Sequence, residues 1–168
     1  MYYDSVENKH GMKHDPFKAL AAPRPIGWVS TVNNNGVLNL APYSFFNAVS
    51  DRPHYVMFVS AKRKDSLRNI EANGEFTCSI STMDTRDGMN ISSAPVEALA
   101  DEFALADLET APSHFVKPPR VARAPASLEC KPLKSLEFPA VSGDDGHFLG
   151  IGQVIGIGLA EAVVRAGG

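Results

Sequence analysis

The chain has 168 residues, of which 44% are hydrophobic, and a formal net charge of −3 at pH 7, which predicts a single globular domain with a substantial core. The negative balance disfavours nucleic-acid binding, which requires Lys and Arg to neutralise phosphates, and no stretch reaches the roughly 20 apolar residues of a transmembrane helix. The N-terminus lacks the basic and then apolar pattern of a secretion signal, so we expect a cytoplasmic protein in which Cys78 and Cys130 are buried thiols.

Strands dominate the first half of the chain. Residues 26–32 alternate in the manner of a strand, and the Asn-Asn-Asn-Gly run at 33–36 tolerates positive φ angles. A hairpin into residues 37–40 is therefore predicted. Two further apolar or alternating runs, at residues 55–60 and 76–81, predict the next strands.

Two helical segments are predicted. The first starts after Lys64, where Asp65 or Ser66 is a good capping residue, and ends at Gly74. The second covers residues 95–108, with Pro95 suited to a position in the first turn.

The last third of the chain is less regular. Prolines interrupt residues 111–125, which predicts a surface excursion of the kind that often carries substrate-gating elements. A strand at 127–133, a turn at 142–146 and a strand at 148–164 follow. Many short strands with two or three short helices predict a mainly β fold, a barrel or sandwich with helical insertions.

The start of the first predicted helix is the best candidate anion site. Free backbone N–H groups and the helix dipole favour negative charge there, and Lys64, Ser66 and the strand-ending Ser60 add donors. Asp65 opposes a phosphate unless its side chain caps the helix or pairs with Arg68. The alternative is an ordinary capped helix with a solvated lysine.

A second candidate region combines hydroxyl, amide and aromatic groups just after a strand end. It consists of Ser44, Phe45, Phe46 and Asn47. The rings of Trp28 and Tyr43 are further candidates for stacking on a ligand, although all these aromatics also suit a core. Together with the anion site, this region predicts a planar ring that carries a phosphate.

Several other motifs are not convincing. The glycines at 150, 152 and 156 have the spacing G-x-G-x-x-x-G and lack the βαβ unit of a dinucleotide loop. His10 and His14 have no matching third ligand, so no metal site is predicted. No catalytic constellation is visible either, and any redox chemistry would therefore belong to a bound cofactor.

In several places the sequence resembles the flavin reductase-like, FMN-binding split-barrel family. The matching stretches include PRPIGWVST at residues 23–31, NLAPYSFFNAVS at 39–50 and KDSLRNI at 64–70. Shorter matches at 100–103 and 151–156 follow in the same order. The resemblance covers about residues 15–165, and the ordered set is specific.

This resemblance implies one FMN-binding split-barrel domain over residues 1–168, with residues 1–14 as an N-terminal extension, that forms a homodimer with FMN near the subunit interface. It implies ring contacts from Ser44, Phe45, Phe46, Asn47 and Ala48, with Thr31 and its neighbours alongside, and phosphate contacts from Ser60, Lys64 and Ser66.

The implied activity is hydride transfer from NADH or NADPH to the flavin, and from there to free flavin, a partner monooxygenase or another acceptor. No nicotinamide site is evident in the sequence, so a non-enzymatic FMN-binding module for electron transfer or flavin sensing remains an alternative. Gly158 stands where the family usually has a histidine, and the chain ends at Gly168, before a C-terminal segment that relatives typically have.

Overall fold

The computed structural model describes residues 2–97, 99–140 and 146–166 and contains, within these ranges, nine strands and five short helices. The strands are β1 (Gly27–Val32), β2 (Leu38–Tyr43), β3 (Phe46–Asp51), β4 (His54–Ala61), β5 (Phe76–Ile80), β6 (Thr110–Ala111), β7 (Arg120–Val121), β8 (Ala126–Phe138) and β9 (His147–Leu159). The helices are α1 (Phe17–Leu20), α2 (Asp65–Asn73), α3 (Arg86–Ile91), α4 (Glu102–Leu105) and α5 (Glu161–Ala166). None of these helices is long and apolar enough to cross a membrane.

Seven strands form one antiparallel sheet in the order β2-β1-β5-β8-β9-β4-β3, and β6 and β7 form a separate pair. The two outermost strands of the seven-stranded sheet, β2 and β3, follow one another in the chain with only Ser44 and Phe45 between them. The sheet must therefore curve until its two edges lie close together, yet β2 and β3 are not paired. This open, split barrel confirms the predicted mainly β fold.

The curved sheet carries apolar side chains on both faces, because successive residues of a strand point to opposite sides. Trp28 and Val29 of β1 are both fully buried and belong to different clusters. The barrel core consists of Val29, Tyr43, Phe46, Val56, Phe58, Ile70, Phe76, Cys78 and Cys130. The outer core consists of Trp28, Leu40, Phe103, Val121 and Ala124. The strand β1 is therefore buried on both faces of the sheet.

Several predicted elements are confirmed. The hairpin of β1 and β2 turns through Gly36, which has a φ of 82°. Helix α2 ends at Gly74 in the left-handed conformation, with a φ of 70°. Cys78 and Cys130 are both buried thiols.

The predicted helix starts are wrong in two places. Lys64 occupies the N-cap of α2, and no side chain, including those of Asp65 and Ser66, caps the helix. The helical zone at 95–108 contains only α4, which begins late because the Asp101 carboxylate accepts hydrogen bonds from two backbone N–H groups of its first turn. That cap sets the start of α4, and Pro95 lies outside any helix.

The ends of the last two predicted strands also differ from the prediction, and β8 runs to Phe138 rather than to residue 133. The last strand ends at Leu159 rather than near residue 164, and α5 follows it. The residues of β3 and α3 were not predicted to form elements of their own. Residues 142–145 of the predicted turn lie outside the described ranges.

Residues 111–125 lie against the sheet and are held there by buried polar side chains. The Glu129 carboxylate accepts the backbone N–H of His114 at 2.8 Å, and Thr77 Oγ1 donates to the Pro118 carbonyl at 2.9 Å. The Val121 N–H donates to a serine of β5 at 3.0 Å. These bonds attach the segment to β5 and β8.

Candidate functional site

A cleft of about 550 Å³ opens beside the start of α2. One wall is formed by β2 and residues 62–68, and the other by residues 92–96 after α3, with Glu102 between them. Four basic and two acidic residues line the cleft, which gives it a positive balance in a chain that is negative as a whole.

The N-terminus of α2 faces this cleft without a side-chain cap. Lys64, at the N-cap, has an extended backbone, and the first helical bond runs from the Arg68 N–H to its carbonyl at 3.1 Å. The N–H groups of Asp65, Ser66 and Leu67 therefore have no partner within the helix. With the positive end of the helix dipole, they form a site that favours an anion.

The charged side chains near this helix start are paired except for one. Asp65 forms an ion pair with Arg68, as the anion-site hypothesis requires, and Arg63 forms one with Glu71. In the part of the chain that the structure describes, Lys64 takes part in no ion pair. Its ammonium group is therefore available to an anion in the cleft.

A buried network of hydrogen bonds supports the cleft from below. Asn39 Oδ1 accepts from Ser66 Oγ at 2.8 Å and from Thr31 Oγ1 at 3.1 Å. Asn39 Nδ2 donates to Glu102 Oε1 at 3.0 Å, while Glu102 Oε2 accepts the Leu40 N–H at 3.0 Å. The network joins β1, β2, α2 and α4 and fixes the position of the helix start.

The Glu102 carboxyl is an unusual member of this network because it is buried without an ion pair among the described residues. Burial raises its pKa above the ordinary value of 4.5. The hydrogen bonds from Leu40 and Asn39 oppose this rise, and the charge of Asp65 adds to it.

The predicted phosphate contacts lie at or beneath the cleft. Lys64 and Ser66 line it, whereas Ser60 is completely buried. Thr31, which was predicted to lie beside the flavin ring, is also completely buried and belongs to the network beneath the start of α2. Ser60 Oγ donates to the Lys62 carbonyl at 2.9 Å. The structure therefore brings these residues together around the start of α2, although both predicted serine donors already have acceptors within the chain.

The predicted ring segment lies elsewhere, at the passage from β2 to β3, and none of its residues lines the cleft. Ser44, Asn47 and Ala48 are exposed, Phe45 is half-buried, and Phe46 is buried in the barrel core. The segment thus presents small and polar groups to its surroundings, and its second phenylalanine stabilises the fold.

A second, more apolar cavity of about 520 Å³ adjoins this segment. It lies among β3, β4, β8 and β9, and Ala48, Val49, Val154 and Ile157 are among its walls. Ala48 is the residue that links the predicted ring segment to this cavity.

Trp28, the remaining predicted residue, is fully enclosed in the outer core. Its Nε1 donates to Ser92 Oγ at 2.9 Å, at the start of the segment that walls the cleft. The ring is therefore not exposed to a ligand in this structure, and it holds residues 92–96 in place.

Asn39, Glu102 and the wall at 92–96 were missed by sequence reasoning. The predicted hairpin contained a signal for Asn39, because its register places that residue opposite Thr31. No comparable signal existed for Glu102, which reaches Asn39 across 63 positions of sequence.

The chain is similar to a known protein family and to several known proteins. Residues 20–166 match the model of the flavin reductase like domain. An uncharacterized protein of Aquifex aeolicus (strain VF5) is 39% identical over 120 residues, which are 68% of this chain and 61% of that protein. The chain thus spans less than two thirds of that relative's length.

Two solved structures share the fold. Nitrilotriacetate monooxygenase component B from Bacillus cereus has a TM-score of 0.86 at 29% identity, covering 96% of this chain and 82% of its own. A candidate flavin reductase with a split barrel domain from Shewanella frigidimarina NCIMB 400 has a TM-score of 0.85 at 15% identity, covering 100% and 84%.

The substitution Glu102→Gln tests the buried carboxyl through the pH dependence of stability. Because the pKa of Glu102 is raised in the folded state, the unfolded chain loses this proton at lower pH than the folded protein does. Ionisation therefore favours unfolding, and the stability of the parent protein relative to the variant should fall as pH rises above 4.5, until the folded-state pKa is passed.

Free energies of unfolding in urea, measured for both proteins from about pH 4 to pH 8, check this expectation. The exposed Glu109→Gln is the control for losing one negative charge. A difference between parent and Glu102→Gln that stays constant or grows with pH contradicts the assignment.

Proposed function

Because the chain belongs to the flavin reductase-like family, we propose that it is an FMN-binding oxidoreductase that uses NADH or NADPH to reduce flavin for a further acceptor. The observation that carries the FMN assignment is the cleft at the start of α2, where backbone donors and Lys64 have no charged partner of their own.

The residues present suit the phosphate group of FMN. A phosphate monoester offers only acceptor oxygens and a negative charge, and the uncapped N–H groups of α2 supply donors in a positive field. Lys64 adds a charge-assisted hydrogen bond. Pairing with Arg68 removes the main local repulsion, that of Asp65.

The ring end is assigned to residues 44–48, in agreement with the resemblance stated above. Exposed Ser44 and Asn47 provide polar groups, and Ala48 opens onto the apolar cavity. Bound FMN would supply the redox chemistry, by accepting hydride from the nicotinamide and giving electrons to the acceptor. The chain's part is to bind, orient and shield the two ligands.

We further propose a homodimer that completes the ring site. Two apolar side chains in the walls of the second cavity are more than half exposed, namely Val49 at 53% and Ile157 at 56%. β3 is also an edge strand with unpaired backbone groups on one side. A second copy would cover both features and enclose the ring segment.

The acceptor is proposed to be free flavin or a partner monooxygenase. The Bacillus cereus neighbour, which is 29% identical, is named as one component of a monooxygenase. One observation favours the alternative of a non-enzymatic FMN-binding module: a Cβ on Gly158 would lie 2.6 Å from Ser127 Oγ. Gly158 therefore supplies no side chain at the position where the family usually has a histidine, and a side chain there would require the Ser127 hydroxyl to rotate away.

Lys64→Ala should weaken FMN binding by about 1.5–3 kcal/mol, the size of one charge-assisted hydrogen bond. Riboflavin lacks the phosphate and should bind equally well to both proteins. Calorimetric titration with the two flavins measures the difference, and Lys131→Ala, a lysine that does not line the cleft, is the control. Equal FMN affinities for parent and Lys64→Ala would refute the phosphate site.

Anaerobic addition of NADH or NADPH to the FMN-loaded protein should bleach the flavin absorbance rapidly with at least one donor. The reason is that an oxidoreductase of this type must bring nicotinamide and flavin into contact. Free FMN at the same concentration is the control. Bound flavin that keeps its absorbance with both donors would favour the electron-transfer or sensing module.

The proposed dimer should be visible by light scattering, and Ile157→Lys should convert it to monomers because a charge would be buried at the interface. Ile91→Lys, on α3 and 45% exposed, is the matched control and should leave the dimer intact. A parent protein that is monomeric and still binds FMN tightly would contradict this arrangement.

A further inference from the structure

Three hydroxyl groups lie together beneath the anion-binding end of the cleft, those of Tyr43, Ser60 and Ser66. Two of them already donate their protons within the chain. Ser66 donates to Asn39 Oδ1 at 2.8 Å, and Ser60 donates to the Lys62 carbonyl at 2.9 Å. Each serine therefore has only acceptor capacity left for a ligand.

The third hydroxyl has no such partner. Tyr43 lines the cleft and is only 6% exposed, yet among the described residues its Oη has no hydrogen-bond partner in regular geometry, although the hydroxyls of Ser60 and Ser66 lie close enough to influence its pKa. Arg24 Nε is the other buried side-chain atom without a partner in the described residues. Since buried polar groups are normally paired, an unpaired phenol at a cleft wall calls for an explanation.

We propose that the Tyr43 hydroxyl donates a hydrogen bond to the anionic phosphate group of a ligand bound at the start of α2. The identity of this ligand as FMN rests on the function proposed above, whereas the phosphate chemistry rests on the cleft itself. Tyr43 would then be a ligand-binding residue that complements Lys64 and the backbone N–H groups.

The distribution of donors supports this role. A phosphate accepts hydrogen bonds and cannot donate to the free lone pairs of Ser60 and Ser66 when fully ionised. Releasing the Ser66 proton for a ligand would break its bond to Asn39, which Glu102 holds in orientation. Tyr43 can donate without breaking any bond that the structure contains.

The state of the phenol also suits a donor. Burial raises the pKa of Tyr43 above its ordinary value of 10.0, and the nearby serine hydroxyls only partly offset this. The hydroxyl thus keeps its proton at neutral pH. Its oxygen is shielded from bulk water, so the contact requires a small side-chain movement at the floor of the cleft as the ligand enters.

Tyr43→Phe tests the proposal, because it removes the hydroxyl and keeps the ring that packs on Phe58 with centroids 4.8 Å apart. FMN should bind at least about tenfold more weakly, the effect of one hydrogen bond from a neutral donor to a charged acceptor, and riboflavin should bind as before. Inorganic phosphate should also compete less well. The ligand-free variant should be at least as stable as the parent, since an unpaired buried hydroxyl is lost.

The controls are Tyr3→Phe, at a tyrosine that does not line the cleft, and Lys64→Ala, which tests the proposed phosphate site independently. If Lys64→Ala weakens FMN and Tyr43→Phe does not, the hydroxyl is only an unsatisfied core group and the inference is overturned, while the proposed function stands.

Titration with inorganic phosphate tests the Tyr43 contact independently of flavin binding. If neither flavin binds but phosphate does, and Tyr43→Phe weakens it, the anion contact is supported and the flavin function fails. If neither phosphate nor FMN binds to the parent protein, both proposals are overturned.

Discussion

The amide of Asn39 is the interaction on which the site depends. Its oxygen accepts from Thr31 on β1 and Ser66 on α2, and its nitrogen donates to Glu102 on α4. One side chain on an edge strand thus sets the distance between the sheet and two helices. A buried amide must satisfy its donor and its acceptor together. Because the amide oxygen of Asn39 faces Ser66, the single hydroxyl proton of Ser66 is directed to Asn39.

The same network explains how a chain with negative net charge presents a positive cleft. Glu102 is buried in the wall of the cleft and directs both oxygens toward neutral donors of β2. Asp65 is neutralised by Arg68 at the surface. With the acidic groups withdrawn or paired, the ammonium of Lys64 and the dipole of α2 determine the local field.

Local patterns predicted the parts of the fold that local interactions determine. The hairpin turn at Gly36, the end of α2 at Gly74 and the placing of Lys64 at a helix start all follow from neighbouring residues. The late start of α4 is also local, because the Asp101 carboxylate accepts the N–H groups of Phe103 and Ala104, but the prediction chose Pro95 and overlooked this cap. Contacts across 60 or so positions, such as Glu102 with Asn39, leave no periodic signal.

The cleft differs from an ordinary surface depression because three groups without a binding partner lie together in its walls. Within the described residues, the helix start has no side-chain cap, the Tyr43 phenol has no hydrogen-bond partner in regular geometry and Lys64 has no counter-ion, and all three groups line the same cleft. Each deficit alone has a structural explanation, but a single anion with several acceptor oxygens would remove all three. A ligand that binds only the folded state stabilises it by mass action. The groups that lack partners in the free protein are therefore the groups that would supply the binding energy.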